Sequence, residues 1–370
     1  MHQGSVMSQL FSPLSLGKLS LPNRIIIAPM CQYSAINGEA TDWHTIHLGQ
    51  LSLSGAGLLI MEATAVSPEG RISYGDLGLW NDETQKALGK TLNAVRQYSD
   101  MPIGIQLAHA GRKASTGKPW DDVGAISPND KNGWQTIAPS AQAYDEHSFE
   151  PVAMSKADIG QLIADFASAA KRADELGLDL IELHGAHGYL LHQFLSPLSN
   201  KRDDEYGGSF QNRMRIVMEV FKAVRAEFNV NKPVGIRISA TDWVEGGWDL
   251  EQSIALAKAL DKLGCDFIHV STAGLSPLQQ IPVEPCFQVP FATAIKQAVN
   301  MPIIAVGLIT EAQQAENILS EHKADAVALA RGILYNPHWP WHAAAELGAT
   351  VNAPKQYLRS SPHGKPSPIK

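Results

Sequence analysis

The sequence predicts an α/β fold, a single (β/α)8 TIM barrel with a short N-terminal β-hairpin covering the barrel bottom. Three observations predict it. Eight short apolar, β-rich runs recur along the chain: Arg24–Met30, Leu58–Thr64, Ile103–His109, Leu180–His184, Val234–Ser239, Phe267–Ser271, Ile303–Gly307 and Ala326–Ala330. They read apolar on both faces, as strands of a covered parallel sheet do. Segments with helical spacing lie between them, so the pattern is one strand–helix unit repeated. A doubly wound open sheet would need a dinucleotide loop after one of its strands. No G-x-G-x-x-G follows any strand; Gly55 and Gly57 come closest and lack the third glycine.

In chain order, residues 1–9 are expected to be a disordered leader or an upstream-start remnant, since they lack the basic and apolar regions of a signal peptide. Leu10–Leu21 alternates through Ser, Gly and Lys, which predicts the hairpin. Asp158–Leu176 carries apolar residues at Ile159, Leu162, Ile163, Phe166 and Ala170 and stops at Gly177. Glu251–Leu263 repeats that pattern and ends at Gly264, and Thr310 is placed to cap Glu311–Leu319. No composition shift divides residues 10–359, which are read as one barrel. The Pro/Ser/Gly/Lys-rich segment 360–370 is expected to be a flexible tail.

At 370 residues the length alone would suggest two or three domains, but α/β barrels exceed 250 residues as one unit. Apolar residues make up 44% and charged residues 18%, with a mean hydropathy of −0.11, enough for a large core and too little charge for a disordered chain. The net charge of −7, without a basic run, argues against a nucleic-acid or anionic-membrane partner. Three cysteines, Cys31, Cys265 and Cys286, supply neither a disulfide framework nor four metal ligands. No run approaches 18 apolar residues, and the expectation is a soluble protein of the reducing cytoplasm.

Two strand-to-helix connections are long, about 45 residues at Ala110–Ser155 and about 20 at Gly185–Asp204. In a barrel these lie on the C-terminal face, where active sites are built. His184, His187 and Tyr189 follow the fourth strand. Two imidazoles can hold a substrate oxygen with N–H donors while the phenol supplies a proton. The H-x-x-H pair also admits a zinc reading, although the same spacing recurs at His44 and His47. Gln106 and Arg237 are polar groups on otherwise buried strands. They read either as a satisfied buried pair or as partners of a planar ligand with an anionic edge. Gly307 and Arg331-Gly332 follow strands seven and eight, where barrels bind phosphate. Cys31 ends the first strand, as filler or as a group that tunes a cofactor or attacks as a nucleophile. Lys113 is a weaker Schiff-base candidate, beside Arg112 in a hydrophilic loop.

These pieces resemble the Old Yellow Enzyme family of flavin-dependent ene-reductases, and within it the thermophilic-like, xenobiotic-reductase branch. The likeness is carried by Asn23–Tyr33, Glu62–Arg71, Gln106–Lys113, His184–Lys201 and Asp203–Arg213, in the family's order, and covers roughly Leu10 to Arg359. The resemblance implies non-covalent FMN at the barrel mouth. Ala28, Pro29, Met30, Cys31 and Ala63 would line its ring, with Gln106 and Arg237 on the pyrimidine edge and Gly307, Ala330 and Arg331 at the phosphate. It implies that Cys31 adjusts the flavin and that Tyr33 faces substrate. His184 and His187 would bind a carbonyl or nitro oxygen, and Tyr189 would donate the proton. It further implies NADPH or NADH as electron donor and activated alkenes or nitro compounds as substrates. Finally, it implies a homodimer or homotetramer in which Arg359 reaches a neighbouring active site.

Two features depart from the family pattern: the longer loop Ser115–Thr136, with Trp120 and Trp134, and the segment beyond Arg359. Two other classes compete, a metal- or lysine-dependent barrel lyase and a non-catalytic flavin-binding sensor.

Overall fold

The eight apolar runs close on one another in register. In the computed structural model, which describes residues 7–370, they form a closed parallel barrel. Its strands are β1 (Ile25–Ile27), β2 (Leu58–Ala65), β3 (Ile103–Ala108), β4 (Leu180–Gly185), β5 (Val234–Ser239), β6 (Ile268–Ser271), β7 (Ile303–Val306) and β8 (Ala326–Leu329). β8 pairs with β1, so no edge is left exposed. The principal helices that follow each strand are α1 (Asp42–Ser52), α2 (Asp82–Arg96), α3 (Lys156–Glu175), α4 (Phe210–Glu227), α5 (Leu250–Lys262), α6 (Val289–Lys296), α7 (Ala312–Ser320) and α8 (Trp339–Glu346).

The continuous apolar runs have a simple cause. Outward residues such as Ile25, Ile27, Leu59 and Ile105 pack under the helices, while Ile26, Leu58, Leu180 and Ile304 turn into the barrel. Period-2 alternation therefore buries both faces. The hairpin pairs Leu14–Leu16 with Leu19–Leu21 antiparallel. Its Leu16 and Leu21 are fully buried against that inner cluster and close the bottom, as expected.

Helix ends follow local chemistry. Ser155, Asn81, Ser209 and Asp249 each accept a hydrogen bond from a first-turn backbone N–H. The expected cap at Thr310 falls one residue later. Glu311 caps α7 in a reciprocal box with Gln314, whose longer side chain reaches back to the Glu311 amide.

The ends of the chain differ from expectation. Of the leader, residues 1–6 lie outside the described residues, and Ser8 and Gln9 bond to Glu316 of α7 at 2.7 and 2.8 Å. The expected flexible tail instead returns to the barrel helices. Ile369 pairs with Val351 and is buried, because its one large apolar side chain completes a small cluster with Ala344 and Val351. Among the described residues no helix is long and apolar enough to cross a membrane, and Cys31, Cys265 and Cys286 are free thiols.

Candidate active site

The polar side chains of the barrel interior gather at the C-terminal ends of β3 to β6. Beyond β4 the chain turns sharply through His187 (φ 58°) and Gly188 (φ 74°). Glycine is required at 188, since a Cβ there would stand 2.1 Å from the Gly274 carbonyl oxygen. Four contacts fix the turn. Lys113 Nζ donates to the carbonyls of His187 and Gly274, each at 2.8 Å. The His187 amide donates to Ser239 Oγ at 2.9 Å. The Gly188 amide donates to His192 Nδ1 at 2.9 Å, so the His192 proton sits on Nε2 and points to Asp242 Oδ1 at 2.7 Å. Asp242 is itself held by Ser196 Oγ and the Trp248 amide.

This frame brings the expected triplet together. The His184 ring lies 5.3 Å from that of His187 and 4.9 Å from that of Tyr189, both edge to face. Burial, and then the Arg237 cation, push both imidazoles well below their usual pKa, so each is neutral. His184 Nδ1 accepts the Ala186 amide, which leaves the proton on Nε2 as a donor. His187 Nε2 engages Ser271 Oγ at 2.7 Å. Burial raises the Tyr189 phenol well above its ordinary value, so it stays protonated. Among the described residues no third His, Cys, Asp or Glu joins the histidines as a metal-ligand group.

The lysine reading also changes. Lys113 is not in a hydrophilic loop but in a largely buried turn, Gly111–Lys113, and burial followed by Arg112 lowers its pKa to about 8. Its ammonium already donates to two carbonyls, and it lies over the ring of Tyr189 at 5.1 Å. Cys31 is equally unsuited to attack. Burial first, then Asp76 and Glu62, raise its pKa well above that of a free thiol.

Below the triplet, register sets a second group. Gln106 lies opposite Glu182, and Arg237 lies between His184 on one strand and His269 on the other. Gln106 does not pair with Arg237, as one reading had it. Its Nε2 donates to Glu182 Oε1 at 2.8 Å, because the carboxylate is the stronger acceptor. Arg237 is 8% exposed and its Nε is buried without a protein partner among the described residues. An orphaned guanidinium at a barrel mouth calls for an acceptor from outside the chain.

Most of the remaining expected residues lie at or just past the ends of β1, β2, β7 and β8. Ala28 is inside the barrel at the end of β1, and Pro29, Met30 and Cys31 continue from it, partly buried. Ala63 follows an irregularity in β2 that sets it opposite Gln106. Gly307 (φ 114°) must be glycine, since a Cβ would lie 2.4 Å from Gln288 Nε2. Ala330 and Arg331 turn out of β8 with Arg331 exposed. Tyr33 meets Trp120 of the long third loop edge to face at 5.9 Å. Trp134 instead anchors to the Glu69 carbonyl at 2.9 Å. Arg359 is exposed near the C-terminal end, and among the described residues no contact brings it to the mouth.

Sequence reasoning missed the supports: Ser239, Ser271, His192, Asp242 and the roles of Lys113 and Glu182. For Asp242 and His192 the available signal was polarity just past a barrel strand.

Neutral donor rings set above an unpaired buried guanidinium nitrogen suit a planar, acceptor-bearing cofactor. The chain belongs to the NADH:flavin oxidoreductase / NADH oxidase family, which it matches over residues 9–349, in agreement with the Old Yellow Enzyme motifs. It is 46% identical to an NADPH dehydrogenase of Listeria monocytogenes over 96% of this chain and 99% of that protein. It is 44% identical to an NADPH dehydrogenase of Geobacillus sp. over 95% and 98% of the two chains. Among solved structures, morphinone reductase in complex with tetrahydroNAD shares 31% identity, with a TM-score of 0.75 over 94% of this chain and 93% of that one.

Proposed function

We propose that this protein is a cytoplasmic, FMN-dependent NADPH dehydrogenase of the thermophilic-like branch. Its substrates are activated C=C bonds of α,β-unsaturated carbonyl or nitro compounds. The observation that carries the reading is the neutral triplet of buried His184 and half-buried His187 and Tyr189 above the unpaired Arg237.

FMN, when bound, supplies hydride exchange with the nicotinamide and with the alkene. The residues that would hold it without a covalent bond are Ala28 to Cys31, Ala63, Gln106, Arg237, Gly307, Ala330 and Arg331. His184 directs its Nε2–H, and His187 its Nδ1–H with Ser271 Oγ donating to Nε2, at the substrate's oxygen, where negative charge grows as the double bond is reduced. Neutral rings stabilise that charge without surrendering a proton. Tyr189 holds the proton at its phenol oxygen and delivers it to the α-carbon. Tyr33 orients the substrate, and Arg359 serves the site of a neighbouring subunit in a homodimer or homotetramer.

Support comes from family membership and from the dehydrogenase relatives, which extend over nearly the whole chain. The test is to record the visible spectrum, then add NADPH anaerobically, then cyclohexenone. A yellow protein bleached by NADPH and recoloured by the enone supports the proposal. A colourless protein that needs metal, or a flavin that alkenes never reoxidise, would refute it in favour of a lyase or a sensor. His184→Ala should weaken phenol binding about tenfold, one hydrogen bond's worth, with FMN retained. Loss of FMN would contradict its assignment to substrate.

A further inference from the structure

The buried carboxyl of Glu182 is not used by the chemistry above, yet it sits at the centre of the polar layer beneath the triplet. It is on β4 two residues before His184 and has no solvent exposure. One donor meets each of its oxygens, Gln106 Nε2 at 2.8 Å on Oε1 and His269 Nδ1 at 2.9 Å on Oε2. Across the same layer it opposes the loss of charge that burial imposes on Arg237.

We infer that Glu182 is a positioning residue that fixes the polarity of the cofactor-facing edge, holding Gln106 as an acceptor beside the Arg237 donor. Gln106 Nε2 and His269 Nδ1 occupy the two Glu182 oxygens, so the amide nitrogen of Gln106 faces Glu182 and the amide oxygen faces away. The opposite rotamer would set a carbonyl oxygen against the carboxylate. Gln106 Oε1 takes no hydrogen bond from the protein among the described residues, and Arg237 Nε is buried with no partner. An acceptor beside a donor matches an imide edge, an N–H flanked by C=O. The ring of FMN carries such an edge at N3–H, so the inference rests on the proposed function and names what sets recognition within it. Without Glu182 the Gln106 amide can turn and present its NH2 to that N–H.

The test is reconstitution of the apoprotein with FMN and with N3-methyl FMN, read as dissociation constants from quenching of flavin fluorescence. Glu182→Leu and Gln106→Leu should each weaken FMN binding about tenfold, as loss of one buried hydrogen bond does, and the double variant should be no weaker than either alone. With N3-methyl FMN, which has no N–H to offer, wild type and Glu182→Leu should agree within about threefold. Glu182→Gln keeps an oxygen for Gln106 Nε2, so it should bind FMN within about threefold of wild type, and it guards against poor folding of the leucine variant. Equal weakening of both flavins by Glu182→Leu, additive losses in the double variant, or a Glu182→Gln as weak as Glu182→Leu would each overturn the inference. Failure of the wild-type apoprotein to bind FMN at all would overturn the proposed function itself.

Discussion

The two ends of the barrel interior are built from the same strands and differ in kind. At the bottom, Leu16, Leu21, Leu58, Leu180 and Phe267 fill the space, all fully buried and wholly apolar. At the mouth the inward positions of β3, β4, β5 and β6 become Gln106, Glu182, His184, Arg237 and His269. The bottom needs nothing from outside the chain. The mouth leaves Arg237 and His269 with buried nitrogens that no group among the described residues pairs. A barrel is thus a packed core at one end and an unsatisfied polar frame at the other, and the boundary falls within single strands.

Substitutions can break this contrast, the largest effect lying at the mouth. Tyr189→Phe removes the only proton that the triplet delivers, so alkene reduction should fall about 10²–10⁴-fold while reduction by NADPH persists. Stopped-flow traces of the two half-reactions separate the steps. At the bottom, Phe267→Ala should cost about 3–5 kcal/mol of stability, read from denaturant midpoints, with the mouth chemistry intact in the folded protein.

The rim of the mouth adds a pH dependence. Asp76 is buried near Glu62, and desolvation first, then that neighbouring charge, raise its pKa from 3.8 to about 7. A carboxyl raised on folding favours its protonated form in the native state. Its stabilisation is therefore complete below pH 3.8 and is lost as pH rises through about 7. Asp76→Asn should flatten the stability profile across that window, measured by urea unfolding at stepped pH. The smallest effect is expected on the surface. Trp120 is exposed, so Trp120→Ala should leave stability within about 0.5 kcal/mol and alter KM by only a few-fold through its contact with Tyr33.

The barrel was readable because its strands are buried on both faces, which writes them as continuous apolar runs. His184, His187 and Tyr189 were readable because they sit together just past one run. Their supports were not. His192 orients the turn only through Asp242, which lies fifty residues away at the end of β5. Lys113 reads as a loop cation until the fold lays it under His187 and Gly274. The last residues read as a tail by composition, and a single buried Ile369 decides otherwise.

What the sequence determined by itself was local and periodic: eight strands, the helices between them, and which side chains stand at the strand ends. Tertiary structure alone decided which of those polar groups are partners. Gln106, Glu182 and His269 come from three strands and become one network only when the barrel closes. The physical reason is that burial and charge are properties of the assembled interior. The same closure makes the histidines neutral, keeps the tyrosine protonated and leaves Arg237 in want of a ligand.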